Sequence, residues 1–241
     1  MIGAYYLFAI IGVLLILMSS KQPFPDISNK YGVFLVVLFL FFLLSNQAER
    51  IPNPVVSHLT MVIVGGIGAV IGMRHVTYTK KDVLVAPASS IILTVGTIVL
   101  LSNEWGGYTK IEQIAAFILI VILICGLIYL VFKTLLVGEL PQAWSQAGLR
   151  QLHRGLIEGE KGSISCFEKA WDAEQEHLNA MSYVALNKIY TALGNNSKAE
   201  KWNDLLMQTG GEDAVDISWI KSIESGLVTA GYDVFQPMQE E

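Results

Sequence analysis

The residue types that could do chemistry are present in this chain, but not in the patterns that chemistry requires. The four histidines, His58, His75, His153 and His177, show neither HxxxH nor HExxH spacing, so no pair is set on one helical face to grip a metal ion. The two cysteines, Cys125 and Cys166, are too few for a thiolate zinc site; they fall in unlike halves of the chain and read as packing residues. No GxSxG or comparable nucleophile motif occurs, which removes the first residue of a hydrolase. The glycine-rich run VGGIGAVIG holds Gly65, Gly66, Gly68 and Gly72. A phosphate cradle must follow a strand and face water, whereas this run lies inside an apolar stretch. The sequence therefore predicts no catalytic residue, no cofactor and no metal, and the chain reads as something other than an enzyme.

The elements that carry these residues explain why. With 53% hydrophobic and 15% charged residues and a mean hydropathy of +0.50, the chain falls in the membrane class. The run Ile114 to Phe132, bounded by Glu112 and Lys133, spans about 30 Å as a helix and matches the hydrocarbon core of a bilayer. Five such spans are expected, at about 2–19, 31–45, 55–73, 83–101 and 114–132. The first has no basic n-region and no small-residue cleavage site, so it reads as a retained span and not a signal peptide. The second, rich in Val, Leu and Phe, reads as lipid-facing. The third carries the Gly68/Gly72 pair one helical turn apart, with Gly65 before it, which suits close approach of a neighbouring helix backbone. The fourth has the most polar face, with Pro87, Ser89, Ser90, Thr94 and Thr97, and its proline is expected to kink it. Spans three and four are the expected inner pair, packing through Gly65, Gly68, Gly72, Ser89 and Ser90. Between spans, KQPFPDISNK, NQAERIPNP, RHVTYTKKD and SNEWGGYTK read as loops, the last with Trp105 and Tyr108 as interfacial aromatics. Asp and Glu are absent from the interior of every span, which disfavours a proton- or ion-coupled carrier.

Charge separates two domains. Residues 1–138 carry a net +3 and residues 139–241 a net −8. An acidic second half argues against a nucleic-acid partner, whose phosphates require a basic face. Lys21, Lys30, Arg74, Lys80, Lys81 and Lys133 fall on one side of the expected bilayer, against Arg50 and Lys110 on the other. The positive-inside rule then places the N-terminus outside and the second domain in the cytosol, on what reads as a bacterial cytoplasmic membrane.

That second domain reads as short amphipathic helices, expected at Leu149 to Ile157, after GEKGS, at Leu178 to Leu193, after LGNNS, and at Ala214 to Thr229. Helix, turn, helix occurs twice. In the second copy, Tyr183, Leu186, Tyr190, Gly194 and Ala199 stand at the spacing of interlocking large and small residues; in the first, Phe167 and Ala170 fit the end of the same pattern, with Ser163 as its small residue. This resembles a tetratricopeptide repeat over residues 145 to 208. Asn203 departs from it, standing where the family prefers an aromatic, and Arg150 and Arg154 fall at packing sites. The resemblance implies a TPR-like helical-hairpin domain that holds other proteins and does no chemistry. Two repeats fall short of the three usually needed for stability, so the last helix or a partner must complete the core.

The sequence thus predicts an all-α protein: a polytopic five-helix transmembrane domain followed by a cytosolic TPR-like domain, acting as a scaffold, assembly or accessory subunit of a membrane complex. The alternative is a small transporter or channel subunit for a neutral solute, with a regulatory cytosolic domain.

Overall fold

A computed structural model describes residues 3–48, 53–136, 139–172 and 179–232. These residues form ten α-helices and no strand, and the chain divides into two compact units, Met1–Glu139 and Leu140–Glu241. Arg50 and His177, to which the sequence reading gave places, lie outside the described residues.

The first unit holds α1 (Tyr6–Ser19), α2 (Pro25–Ser45), α3 (Pro54–Arg74), α4 (Val85–Asn103) and α5 (Lys110–Val131). Helices α2 to α5 are long and apolar enough to cross a membrane, whereas α1 is apolar but only 14 residues long. Several boundaries differ from the sequence expectation, each for a local reason. Helix α2 begins at Pro25, so that Asp26, Ser28 and Lys30 lie in its first turns and not in a loop. Pro25 has its φ pre-set for the first helical position, and Asp26 opposes the positive end of the helix dipole. Residues His75–Thr79, expected in a loop, instead continue α3 as a π-helical turn that stops at Lys80 in the left-handed region, φ 48°. Phe132–Leu136 extend α5 in the same way. Pro87 falls in the first turn of α4, where its missing N–H would have had no helical partner, so it opens the helix and does not break it. Helix α5 opens with a capping box between Thr109 and Glu112, which satisfies backbone donors on both sides.

Helix α4 is the hub: it touches α1, α2, α3 and α5, and nine of its residues are buried. By contrast α5 buries only Ala116. Cys125 on α5 is exposed, so it is not a packing residue, whereas Cys166 in the second unit is buried. Outward-facing Val33, Phe41, Ile67, Val70, Ile114, Phe117 and Ile122 give this unit an apolar exterior of the kind that suits lipid.

Helix α2 proves less bulky than the sequence suggested. Gly32 faces Gly12 of α1, and a Cβ built on either glycine would stand 2.7–2.8 Å from the other's carbonyl oxygen. The two backbones therefore meet at a glycine crossing. Phe8 stacks on Phe42 nearby, with centroids 6.2 Å apart.

The second unit holds α6 (Glu139–Leu152), α7 (Ser163–Asp172), α8 (Ala180–Ala192), α9 (Asn196–Gln208) and α10 (Ile217–Thr229). The helix expected at Leu149 to Ile157 is instead α6. It ends at Leu152 and is followed by glycines at positive φ, Gly155 at 72° and Gly159 at 95°, a conformation that side-chain-bearing residues resist. Its buried face is Ala143, Ser145, Ala147, Gly148 and Leu152, while Arg150 and Arg154 are exposed. The shift in helix position thus takes both arginines off the packing sites that the repeat pattern gave them.

Candidate functional site

Two surfaces bring the predicted residues together. The first is the α3–α4 contact. Gly65, Gly68 and Gly72 are all buried on one face of α3. A Cβ on Gly65 would lie 2.8 Å from the Leu93 Cα and 2.9 Å from the Ser89 carbonyl oxygen, and one on Gly72 would run into the Ala86 backbone. Gly66 points elsewhere, its nearest neighbour being a Leu93 methyl at 4.0 Å. The close approach is returned from the α4 side by Gly96, whose Cβ would stand 2.6 Å from the Met61 Cβ. Gly96 is not among the packing residues expected from the sequence. Its position on the same stripe as Ser89 was the available signal.

Gly68 has a different neighbour. The Tyr31 hydroxyl of α2 and the Ser89 hydroxyl of α4 crowd the space above it, and the Tyr31 hydroxyl donates to the Val64 carbonyl of α3 at 3.2 Å. A tyrosine from the helix read as a bulky perimeter element thus threads a polar contact between three helices. Ser90 is satisfied within its own helix, donating to the Ala86 carbonyl at 2.9 Å. The Ser/Thr face of α4, including Thr94 and Thr97, is buried, so other helices of this chain cover it.

The second surface is the core of the second unit. Phe167, Ala170, Tyr183, Leu186, Tyr190 and Ala199 are all buried, and Gly194 takes φ 71° in the α8–α9 turn. The Phe167 ring lies over Gly148 of α6, about where a Cβ would be, at 2.9 Å, and meets Trp219 of α10 edge-on at 6.3 Å. Trp202 stacks on Tyr183 with centroids 5.9 Å apart, which places the aromatic between α8 and α9 one residue before Asn203. Ser145 of α6 and Ser182 of α8 share a hydrogen bond of 3.3 Å. Helix α10 lies against α8 and α6: the Trp219 indole donates to the Met181 carbonyl at 3.0 Å, and Gly226 receives Leu152. Lys188 of α8 bridges Glu224 at 3.0 Å and Glu212 at 3.1 Å. Burial pulls the Lys188 pKa down, but the two carboxylates outweigh it and leave it raised.

Between the α6–α7 connection and the α8–α9 turn lies a polar cleft of about 440 Å³, lined in part by Glu158, Ser165, Glu168, Tyr190, Asn195 and Lys198. Tyr190 donates to Glu168 at 3.3 Å while the Lys198 ammonium sits 5.0 Å from the Tyr190 ring centre. Burial, reinforced by the charges of Glu168 and Glu158, pushes the Tyr190 phenol up to about 12, so it stays a neutral donor at physiological pH.

Among the described residues no three His, Cys, Asp or Glu side chains gather as a metal site would require. His58 lies near Asn103 at one end of the first unit, His75 near Thr79 at the other, and His153 is exposed in the second unit.

Together the fold and the two surfaces define an all-helical protein with four helices long and apolar enough to cross a membrane, compatible with a membrane protein. Searches against protein families, curated proteins and solved structures found no match to this chain.

Proposed function

We propose that this chain is a scaffold, assembly or accessory subunit of a membrane protein complex. It would span the bilayer five times, with the N-terminus outside, and hold a protein partner through its cytosolic TPR-like unit. The observation that carries this reading is the polar cleft between the helical hairpins of the second unit, with Glu158, Glu168 and Lys198 offering both charges at its rim. Such a cleft suits the polar side chains of a partner segment.

A fifth span is supported by the way α1 lies along α2. Tyr5 stacks with Phe42 near the far end of α2, centroids 6.1 Å apart, while Gly12 meets Gly32. With its first turn, Gly3–Ser20 covers about 27 Å at the helical rise. For the neutral-solute alternative, the buried state of the α4 Ser/Thr face offers less support than it does for packing.

Partner binding is tested by affinity purification of the full chain from mild detergent with mass spectrometry. A stoichiometric protein partner is expected. It should be lost from the double variant Glu158→Lys/Lys198→Glu, which reverses two rim charges and replaces no buried side chain. A homo-oligomer alone would move the reading to the transporter or channel subunit.

Orientation is tested separately in intact cells, with Cys125 and Cys166 replaced by serine. A cysteine at exposed position Glu104, between α4 and α5, should react within minutes with a membrane-impermeant thiol reagent. One at exposed Ser197 should react only after permeabilisation. The reverse pattern would overturn the cytosolic placement.

A further inference from the structure

The cleft between the α6–α7 connection and the α8–α9 turn is uneven in both charge and polarity. Its walls hold two carboxylates, Glu158 and Glu168, against the ammonium of Lys198. Glu168 accepts from the Tyr190 hydroxyl through Oε1 at 3.3 Å, which fixes one oxygen and leaves Oε2 for another donor. Among the described residues neither carboxylate is paired with a lysine or arginine. Lys198 lies instead over the Tyr190 ring, 5.0 Å from its centre. The apolar part of the wall is aliphatic: Ile164 of α7 and Leu193 at the end of α8 line the cleft and are half-buried.

An occupant that suits both parts has a hydrocarbon stem and a cationic head, as the side chains of arginine and lysine do. A guanidinium brings several donors to two carboxylates and also stacks on an aromatic face. Lys198 shows that second contact within the chain, since the face of Tyr190 already carries an ammonium. An anionic occupant meets opposition. Helix α9 does open at this cleft with its positive end, but the Asn195 side chain already accepts from the Lys198 backbone N–H there at 3.2 Å. An incoming carboxylate or phosphate would also face Glu158 and Glu168, in a half of the chain, residues 139–241, that carries a net −8.

We propose that this cleft is a cation slot for an arginine or lysine side chain of the partner, a role that rests on the reading of the second unit as partner-binding, and that Lys198 is its internal competitor. The stem of the entering side chain lies along Ile164 and Leu193. Its head group donates to Glu158 and to the Glu168 oxygen that Tyr190 leaves unused. Tyr190 is a positioning residue for Glu168, because its hydroxyl fixes that carboxylate. In the free chain Lys198 rests on the ring, and its charge weakens the attraction for any second cation. The entering head group takes its place over Tyr190, and the exposed lysine turns out to water.

The test is an NMR titration of the full chain in detergent with isotope-labelled tyrosine, the Tyr190 ring signal being assigned by its loss from Tyr190→Phe. N-acetyl-arginine amide is the probe; N-acetyl-citrulline amide, its uncharged isostere, and N-acetyl-aspartate amide are the controls. The arginine compound is expected to shift the Tyr190 signal with a millimolar midpoint that rises with added salt, while both controls leave it in place. Glu158→Gln should weaken this binding about two- to fivefold. Lys198→Gln should strengthen it about two- to fivefold, since the competitor is gone. Both positions are exposed, so each variant keeps the core. The direction of change at Lys198 is decisive, because an anion-binding cleft would lose affinity with its lysine. The proposal is overturned by no shift with the arginine compound through the millimolar range, by equal shifts with citrulline, by preference for aspartate, or by no gain in Lys198→Gln. Partner recovery by a chain that fails this titration leaves the scaffold reading standing without the slot. A successful titration on a chain that recovers no partner keeps the slot and removes the scaffold reading.

Discussion

Replacing Gly72 by leucine is expected to force α3 and α4 apart where the end of α3 meets the start of α4. Its Cβ position already falls on the Ala86 backbone at the start of α4, and a backbone cannot swing aside as a flexible side chain can. Helices without a hydrophobic driving force between them depend on this close approach. Gly65→Leu should act alike through Leu93 and the Ser89 carbonyl. Each substitution should cost at least about 1–3 kcal/mol by overpacking, seen as a lowered thermal midpoint in detergent and reduced yield of the inserted protein. The control is one residue away: Gly66 faces open space apart from a Leu93 methyl at 4.0 Å, so Gly66→Leu should be tolerated. Equal behaviour of all three variants would mean that α3 and α4 do not meet along this stripe.

Phe167→Ala should have the largest effect in the second unit, because one ring joins three helices. It fills the space over Gly148 of α6 from its place on α7 and presents its face or edge to Trp219 of α10. Truncating a fully buried phenylalanine costs about 3–5 kcal/mol, comparable with the whole stability of a small domain. The unit should become protease-sensitive at ordinary temperature while the apolar helices still insert. If the proposed partner is held by this unit, it should be lost in the same preparation. Retention of the partner by a protease-sensitive unit would shift binding to the apolar helices. An unchanged melting profile would instead show that the ring is not central to the core.

Much of the helical content was legible because it follows from local rules. The long apolar runs of α2 to α5 exceed what a soluble helix needs, and the Gly65/Gly68/Gly72 stripe is a spacing that can be counted. The capping pair Thr109 and Glu112 likewise sits within four residues. Boundaries were harder where two local signals compete. KQPFPDISNK contains turn formers, yet Pro25 and Asp26 are equally good openers of a helix, and the structure takes the second option. The helix expected at Leu149 to Ile157 was displaced for a similar reason: α6 ends at Leu152, before glycines at positive φ.

By itself the sequence determined that the chain is helical, that its first part is apolar over membrane-length runs, and that its charge divides near residue 139. Periodicity, hydropathy and composition are properties of neighbouring residues and need no fold to be read. Only the tertiary structure decided which residues meet from distant parts of the chain. It set Gly12 against Gly32, Tyr31 across to Val64 and Trp202 against Tyr183, and it buried Asp82 at the start of α4. An isolated aspartate among lysines reads as a solvated loop residue. Its burial depends on elements distant in sequence packing around the start of α4, which no local pattern encodes.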